Sequence, residues 1–143
     1  MGKARPRVVT NEPLEPVRPR TAILDSGALI AFERGDARMR ALLRQALETD
    51  ARLVIPAGVL AQVWRNPAKQ VALGALSRGP TTTVVPLDRM LAEAVGVLCG
   101  KRKTSDLVDA SVVLTGRREG GAIITSDVDD LRHLDKSIEL HRI

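Results

Sequence analysis

Aromatic residues are nearly missing from this chain: Phe32 and Trp64 are the whole set, and tyrosine is absent. Such a chain cannot build the stacked platform that reads unpaired bases, so any contact with nucleic acid has to run through Lys and Arg on the phosphate backbone. Cysteine is equally scarce. The single Cys99, inside the apolar stretch AVGVLCG, has no partner for an internal disulfide, which fits a packed thiol in a reducing compartment and excludes a thiolate zinc site. Only His133 and His141 could supply imidazole; neither sits at a metal-ligand spacing, so both read as structural or solvated. No apolar run reaches the length of a membrane span, no signal-peptide core follows the basic start, and Pro6 spoils a myristoylation signal at Gly2. The expected location is therefore the cytoplasm, with no membrane partner.

What is present fits one domain of 143 residues, large enough to hide roughly two-thirds of its unfolded surface. The formal charge of +5 favours an anionic partner, nucleic acid being the commonest for a protein of this kind. Residues 1–20 hold four of the eight prolines (Pro6, Pro13, Pro16, Pro19) with Lys3, Arg5, Arg7, Arg18 and Arg20 and no periodic apolar face, so they read as a disordered basic tail preceding a domain over 21–143.

Strand and helix signals alternate through that domain. Ala22, Ile23 and Leu24 form a short buried strand, Ser26 can cap the next helix, and Ala28 to Phe32 continues at helical spacing. A break at Arg34-Gly35-Asp36 precedes a second helix through Met39, Leu42, Leu43, Ala46 and Leu47. Leu53-Val54-Ile55 is a second strand; helices over 57–65 and up to about Ser77 follow, and Thr82 to Val85 is a third strand. A helix over 88–99, a basic break at Gly100-Lys101-Arg102-Lys103 and a helix over 105–118 lead to strand Ala122-Ile123-Ile124. A capping signature at Ser126-Asp127-Val128-Asp129 and a final edge strand over 138–143 complete the chain. Such alternation argues for a mostly parallel sheet of four to five strands with helices on both faces.

Acidic residues recur at corresponding places in this pattern. Asp25 follows one strand, Asp106 and Asp109 lie one turn apart on a helix, and Asp127 and Asp130 follow another strand. Each has a plain alternative as a helix cap, a dipole partner or a solvated residue. Asp109 is the hardest to explain that way, because its neighbours in LVDASVVL read as core and a carboxylate there needs a partner, which a divalent cation can be. Grouped acids without His or Cys suit Mg²⁺ or Mn²⁺, which can activate water and neutralise a phosphodiester. Competing motifs fail: G-x-S-x-G, H-E-x-x-H and G-x-G-x-x-G are absent, and Gly96 to Lys101 is one residue short of a phosphate loop.

The segments ILDSGALIA, VIPAGVLAQVWR, TSDLVDASVV and ITSDVDDL, in that order, resemble the four acidic motifs of the PIN domains, and within them of the VapC-type toxins of bacterial toxin–antitoxin pairs. The resemblance spans residues 21–143 and implies a three-layer α/β/α fold. By it, Asp25, Asp106 and Asp127 fall on catalytic, metal-binding positions, Asp109 and Asp130 are accessory metal-site acids, and Thr125 or Ser126 touches metal water or phosphate. It further implies Mg²⁺- or Mn²⁺-dependent endonucleolytic cleavage of RNA, a homodimer, and inhibition by a cognate, VapB-like antitoxin. One departure stands out: the second motif usually carries Glu where this chain has Gln62, whose amide oxygen can ligate a metal or its water but brings no charge. The alternative expectation is therefore a catalytically weak or inactive PIN-like module that binds RNA or protein. Lys101, Arg102 and Lys103, just before Thr104-Ser105-Asp106, could steer RNA phosphates toward the acids or merely form a solvated loop. Trp64 could stack on a base or pack between helices.

Overall fold

Short aliphatic runs place the strands. The computed structural model of the chain describes residues 20–143; the expected basic tail, apart from Arg20, lies outside the described residues. Strands β1 (Thr21–Leu24), β2 (Arg52–Pro56), β3 (Thr82–Val85), β4 (Ala122–Thr125) and β5 (Leu140–Arg142) form one sheet in the order β3-β2-β1-β4-β5. Every neighbouring pair is parallel. The three inner strands are covered on both faces, which is why Ile23, Leu24, Leu53, Val54, Ile55, Ile123 and Ile124 are all buried and no polar alternation appears along them.

Connecting the strands are α1 (Ser26–Glu33), α2 (Ala37–Glu48), α3 (Ala57–Val63), α4 (Val71–Ser77), α5 (Arg89–Arg102), α6 (Leu107–Glu119) and α7 (Val128–Leu134). Right-handed crossovers put α1 to α4 on one face, because β1, β2 and β3 step one way, and α5 to α7 on the other, because the chain then returns past β1 to β4. The packing agrees: α1 lies on β1 and β4, while α6 lies on β1, β2 and β4 with α5 and α7 beside it. Strand order thus reverses between β1 and β4. In an open parallel sheet the crevice at the carboxyl ends of such a pair is where ligands sit, and Asp25 follows β1 there while Asp127 follows β4.

Several boundaries depart from the sequence expectation for identifiable reasons. The helix expected over 57–65 stops at Val63 because Gln70 reaches back: its Oε1 accepts from the N–H groups of Arg65 (2.7 Å) and Asn66 (3.0 Å), replacing helix bonds. The basic break at 100–103 is instead the last turn of α5, where Lys101 and Arg102 favour the negative helix end and Lys103 closes it in the left-handed region at φ 54°. Trp64 is a packing residue, partly buried with its ring under the Arg78 guanidinium at 5.8 Å and its edge against Gly74 of α4. Gly121 has a packing reason as well: a Cβ there would meet the Thr21 carbonyl oxygen at 2.3 Å, so only glycine lets β4 start beside β1.

Arg117, in the last turn of α6, makes the shortest ion pair among the described residues, 2.6 Å from Nε to Asp135 Oδ2. It joins α6 to the turn after α7. Burial alone would raise the Asp135 carboxyl, but hydrogen bonds from Ser137 and the Arg117 guanidinium hold it down at about 2. A depressed folded pKa contributes stability above the unfolded value and loses it as pH falls through the folded one. Asp135→Asn should therefore cost about 1–2 kcal/mol at pH 7, a deficit that shrinks from pH 4 to pH 2. Urea melts of both proteins across that range check this; an unchanged deficit at pH 2 would assign the effect to packing instead.

Candidate active site at the sheet switch point

Asp25, not Ser26, caps α1. Its Oδ1 accepts from the Ala28 N–H at 2.9 Å, and the carboxylate also takes hydrogen bonds from the Thr125 side chain and the Gly27 backbone. Desolvation nevertheless outweighs these bonds, and with repulsion from Asp127 it raises the Asp25 carboxyl above its ordinary value. Ser26, released from capping, donates its hydroxyl to Gln62 Oε1 across the crevice. Gly27 carries no sequence signal of its own, yet a Cβ on it would stand 2.1 Å from Ser126 Oγ and 3.3 Å from the Ser126 backbone N, so the β1 and β4 turns pass closely and a side chain there would have to displace the Ser126 hydroxyl.

Thr125, fully buried at the end of β4, organises the second turn. Its Oγ1 accepts from the Asp127 N–H at 2.8 Å. Asp127 occupies the N-cap position of α7, yet its side chain makes no capping bond, contrary to the expected signature, which leaves its exposed carboxylate pointing at other groups. Partial desolvation and repulsion from Asp130, Asp106 and Asp129 raise it.

The third segment adds Asp106 and Asp109. Asp106 caps α6 by accepting from the Asp109 N–H at 3.0 Å, while Thr104 Oγ1 holds the Asp106 N–H at 3.2 Å. Asp109 is half-buried, and desolvation together with the charges of Asp106, Asp127 and Asp130 raises it to about 7. Thr104, Asp106, Asp109, Asp130, His133 and Leu134 line a cavity of about 180 Å³. Electrostatic coupling therefore links Asp25 to Asp127, and Asp127 to Asp106, Asp109 and Asp130, in one acidic group.

None of these five carboxylates has a Lys or Arg partner among the described residues; the ion pairs there are Arg52–Glu119, Arg89–Glu93, Arg117–Asp135 and Arg118–Glu119. The donor chemistry fits a hard divalent cation: oxygen ligands only, uncompensated and mutually repelling. Among the described residues no three acidic, His or Cys side chains yet converge closely enough to enclose an ion, one oxygen each of Asp25 and Asp106 being engaged on a helix N–H.

Lys101 and Arg102 project from the end of α5, and His133 Nε2 donates to the Arg102 carbonyl at 3.0 Å, which ties this basic turn to the rim of the acidic cavity. The only sequence signal for His133 was its place one turn beyond Asp130 on α7. Glu33, at the far end of α1 from Asp25, accepts from Gln70 Nε2 at 3.1 and 3.2 Å.

The family described as PIN domain matches residues 22–137. The chain belongs to the PIN domain family. Among solved structures, VapBC2 from Rickettsia felis bound to a DNA fragment from their promoter superposes with a TM-score of 0.66 at 11% identity, covering 86% of this chain and 98% of the other. FitAcB from Neisseria gonorrhoeae gives 0.55 at 16% identity, covering 85% and 96%. VapC20 from Mycobacterium tuberculosis, a Sarcin-Ricin loop cleaving toxin, gives 0.55 at 19% identity, covering 71% and 86%. A sequence comparison with curated proteins finds no significant match. At these identities the likeness shows the fold alone, and the fold is the three-layer PIN arrangement with an all-parallel sheet.

The acidic group has a direct consequence for stability. A raised folded pKa means that ionisation opposes folding, so the PIN domain loses stability as pH rises from about 4 through about 7 at Asp109. Asp109→Asn removes that term and should stabilise the metal-free protein by about 1–2 kcal/mol at pH 8, with the gain fading by pH 4. Thermal melts in chelator at the two pH values measure it; a destabilised variant at pH 8 would mean that the carboxylate is not repelled there.

Proposed function

We propose that this PIN domain is a divalent-metal-dependent endoribonuclease, the toxin of a type II toxin–antitoxin pair. The observation that carries the reading is the gathering of Asp25, Asp106, Asp109, Asp127 and Asp130 at the sheet switch point without a cationic side chain among them. Asp25, Asp106 and Asp127 would hold Mg²⁺ or Mn²⁺, with Asp109 and Asp130 as accessory acids. When bound, such an ion supplies a nucleophile from water and charge neutralisation at the phosphodiester. Thr125 sets the approach of Asp25 and Asp127, since it touches both. Lys101, Arg102 and Lys103, joined to the acidic cavity through His133, would hold the RNA backbone, and Ser126, against Gly27 beside Asp25, would touch a phosphate. The similarity to VapBC2 and FitAcB supports a VapB-like antitoxin as partner, and the resemblance to VapC-type toxins supports a homodimer.

Metal binding is testable without turnover. Mn²⁺ at a hundredfold excess over Kd should stabilise the domain by about 2–3 kcal/mol, and Asp25→Asn, which keeps the α1 cap, should lose most of that response together with RNA cleavage. A melting temperature indifferent to millimolar Mn²⁺, with no cleavage of structured RNA, would leave the RNA- or protein-binding module as the better reading.

Steering is separable from chemistry. Replacing Lys101, Arg102 and Lys103 by Ala should weaken RNA binding and lower the slope of log affinity against log salt by about 2, since each single-strand phosphate contact contributes roughly 0.7. The Mn²⁺ response should be retained. An unchanged salt slope would make this turn solvated surface.

A further inference from the structure

The surroundings of Gln62 on α3 determine which end of its amide is available. The residue lies between two helix starts. Gly58, one turn earlier on the same face of α3, packs toward Val108 of α6, where an added Cβ would be 3.5 Å from Cγ2; on the other side Ser26 of α1 donates its hydroxyl to Gln62 Oε1. That bond turns the carbonyl oxygen toward Ser26 and takes one of its two lone pairs. The Nε2 group has no hydrogen-bond partner among the described residues, and residue 62 is exposed. A primary amide nitrogen has two N–H donors and no acceptor capacity, so it cannot ligate a cation but can donate to an anion.

We infer that Gln62 is a substrate-contacting residue that donates from Nε2 to a phosphate oxygen of RNA, and that Ser26 is the positioning residue holding the amide in that orientation. This rests on the reading of the site as an RNA-cleaving centre and gives residue 62 a role opposite to metal ligation. A donor held by Ser26, the residue after Asp25, also has a physical use, because it presents the incoming phosphate with a group that does not repel it.

The experiment pairs two readouts on the full chain: Mn²⁺ affinity by calorimetry without RNA, and affinity for a fluorescent RNA oligonucleotide in chelator, where no cleavage proceeds. Gln62→Met, similar in length and helix propensity, should weaken RNA binding about tenfold and leave Mn²⁺ affinity within twofold of wild type. Gln62→Glu should weaken RNA binding further. Ser26→Ala should lower RNA affinity severalfold, again with Mn²⁺ affinity unchanged, a split that a folding defect would not produce. If Gln62→Met lowers Mn²⁺ affinity while RNA binding stays intact, residue 62 is a metal ligand and the inference is overturned, although the nuclease reading stands. A wild-type protein that binds no RNA overturns both.

Discussion

Mutual repulsion among carboxylates held at one edge of a sheet is the constraint that the rest of the fold has to accommodate. Asp25 is anchored by the buried β1 run Ile23-Leu24, and Asp127 by Ile123-Ile124 of β4, so neither can retreat from the other without pulling apolar side chains out of the core. The helices help in a second way. Asp25 and Asp106 sit at the N-terminal ends of α1 and α6, where unpaired N–H groups and the helix dipole favour negative charge, each end offsetting on the order of 0.3–1 kcal/mol of the repulsion. Capping and chemistry are therefore compatible uses of one residue: one carboxylate oxygen satisfies the helix and the other stays available.

Thr125 shows how little side chain is needed to set such a site. A hydroxyl has one donor and two acceptor lone pairs. Here the donor goes to the Asp25 carboxylate and a lone pair takes the Asp127 N–H, with the residue fully buried. The spacing of the first and fourth acidic segments thus depends on one β-branched residue whose χ1 is restricted by its strand backbone. Close passage of Gly27 and Ser126 fixes the same two turns from the other side.

The sheet was legible because each inner strand is a run of aliphatic residues ended by a polar turn, and the acids were legible because they follow such runs. Pairing across the chain was not. That Ser26 would leave its helix for Gln62, that Gln70 would end α3 early by binding Arg65 and Asn66, and that His133 would hold the Arg102 carbonyl are all decided by tertiary neighbours. No local pattern in the sequence encodes them. The extension of α5 through Gly100 is a related case. Two helical glycines argue for an early stop, yet the favourable placement of Lys101 and Arg102 on the negative helix end and the left-handed Lys103 carry the helix three residues further.

Asp109 and Asp135 offer a comparison within one molecule. Both are aspartates withdrawn at least partly from water beside α6, and burial pushes both upward. Asp135 meets an arginine and the Ser137 donors and falls to about 2, whereas Asp109 meets only other carboxylates and rises to about 7. A chain with 22 basic residues could have neutralised its acidic group with one of them. It keeps Lys101 and Arg102 in the last turn of α5 and Lys103 at its cap instead, joined to the acidic cavity through the His133–Arg102 carbonyl bond and, among the described residues, out of ion-pair contact with the five acids. Basic residues so placed can draw an anion without occupying the acids, which is the arrangement required if the acids are to remain free for a cation.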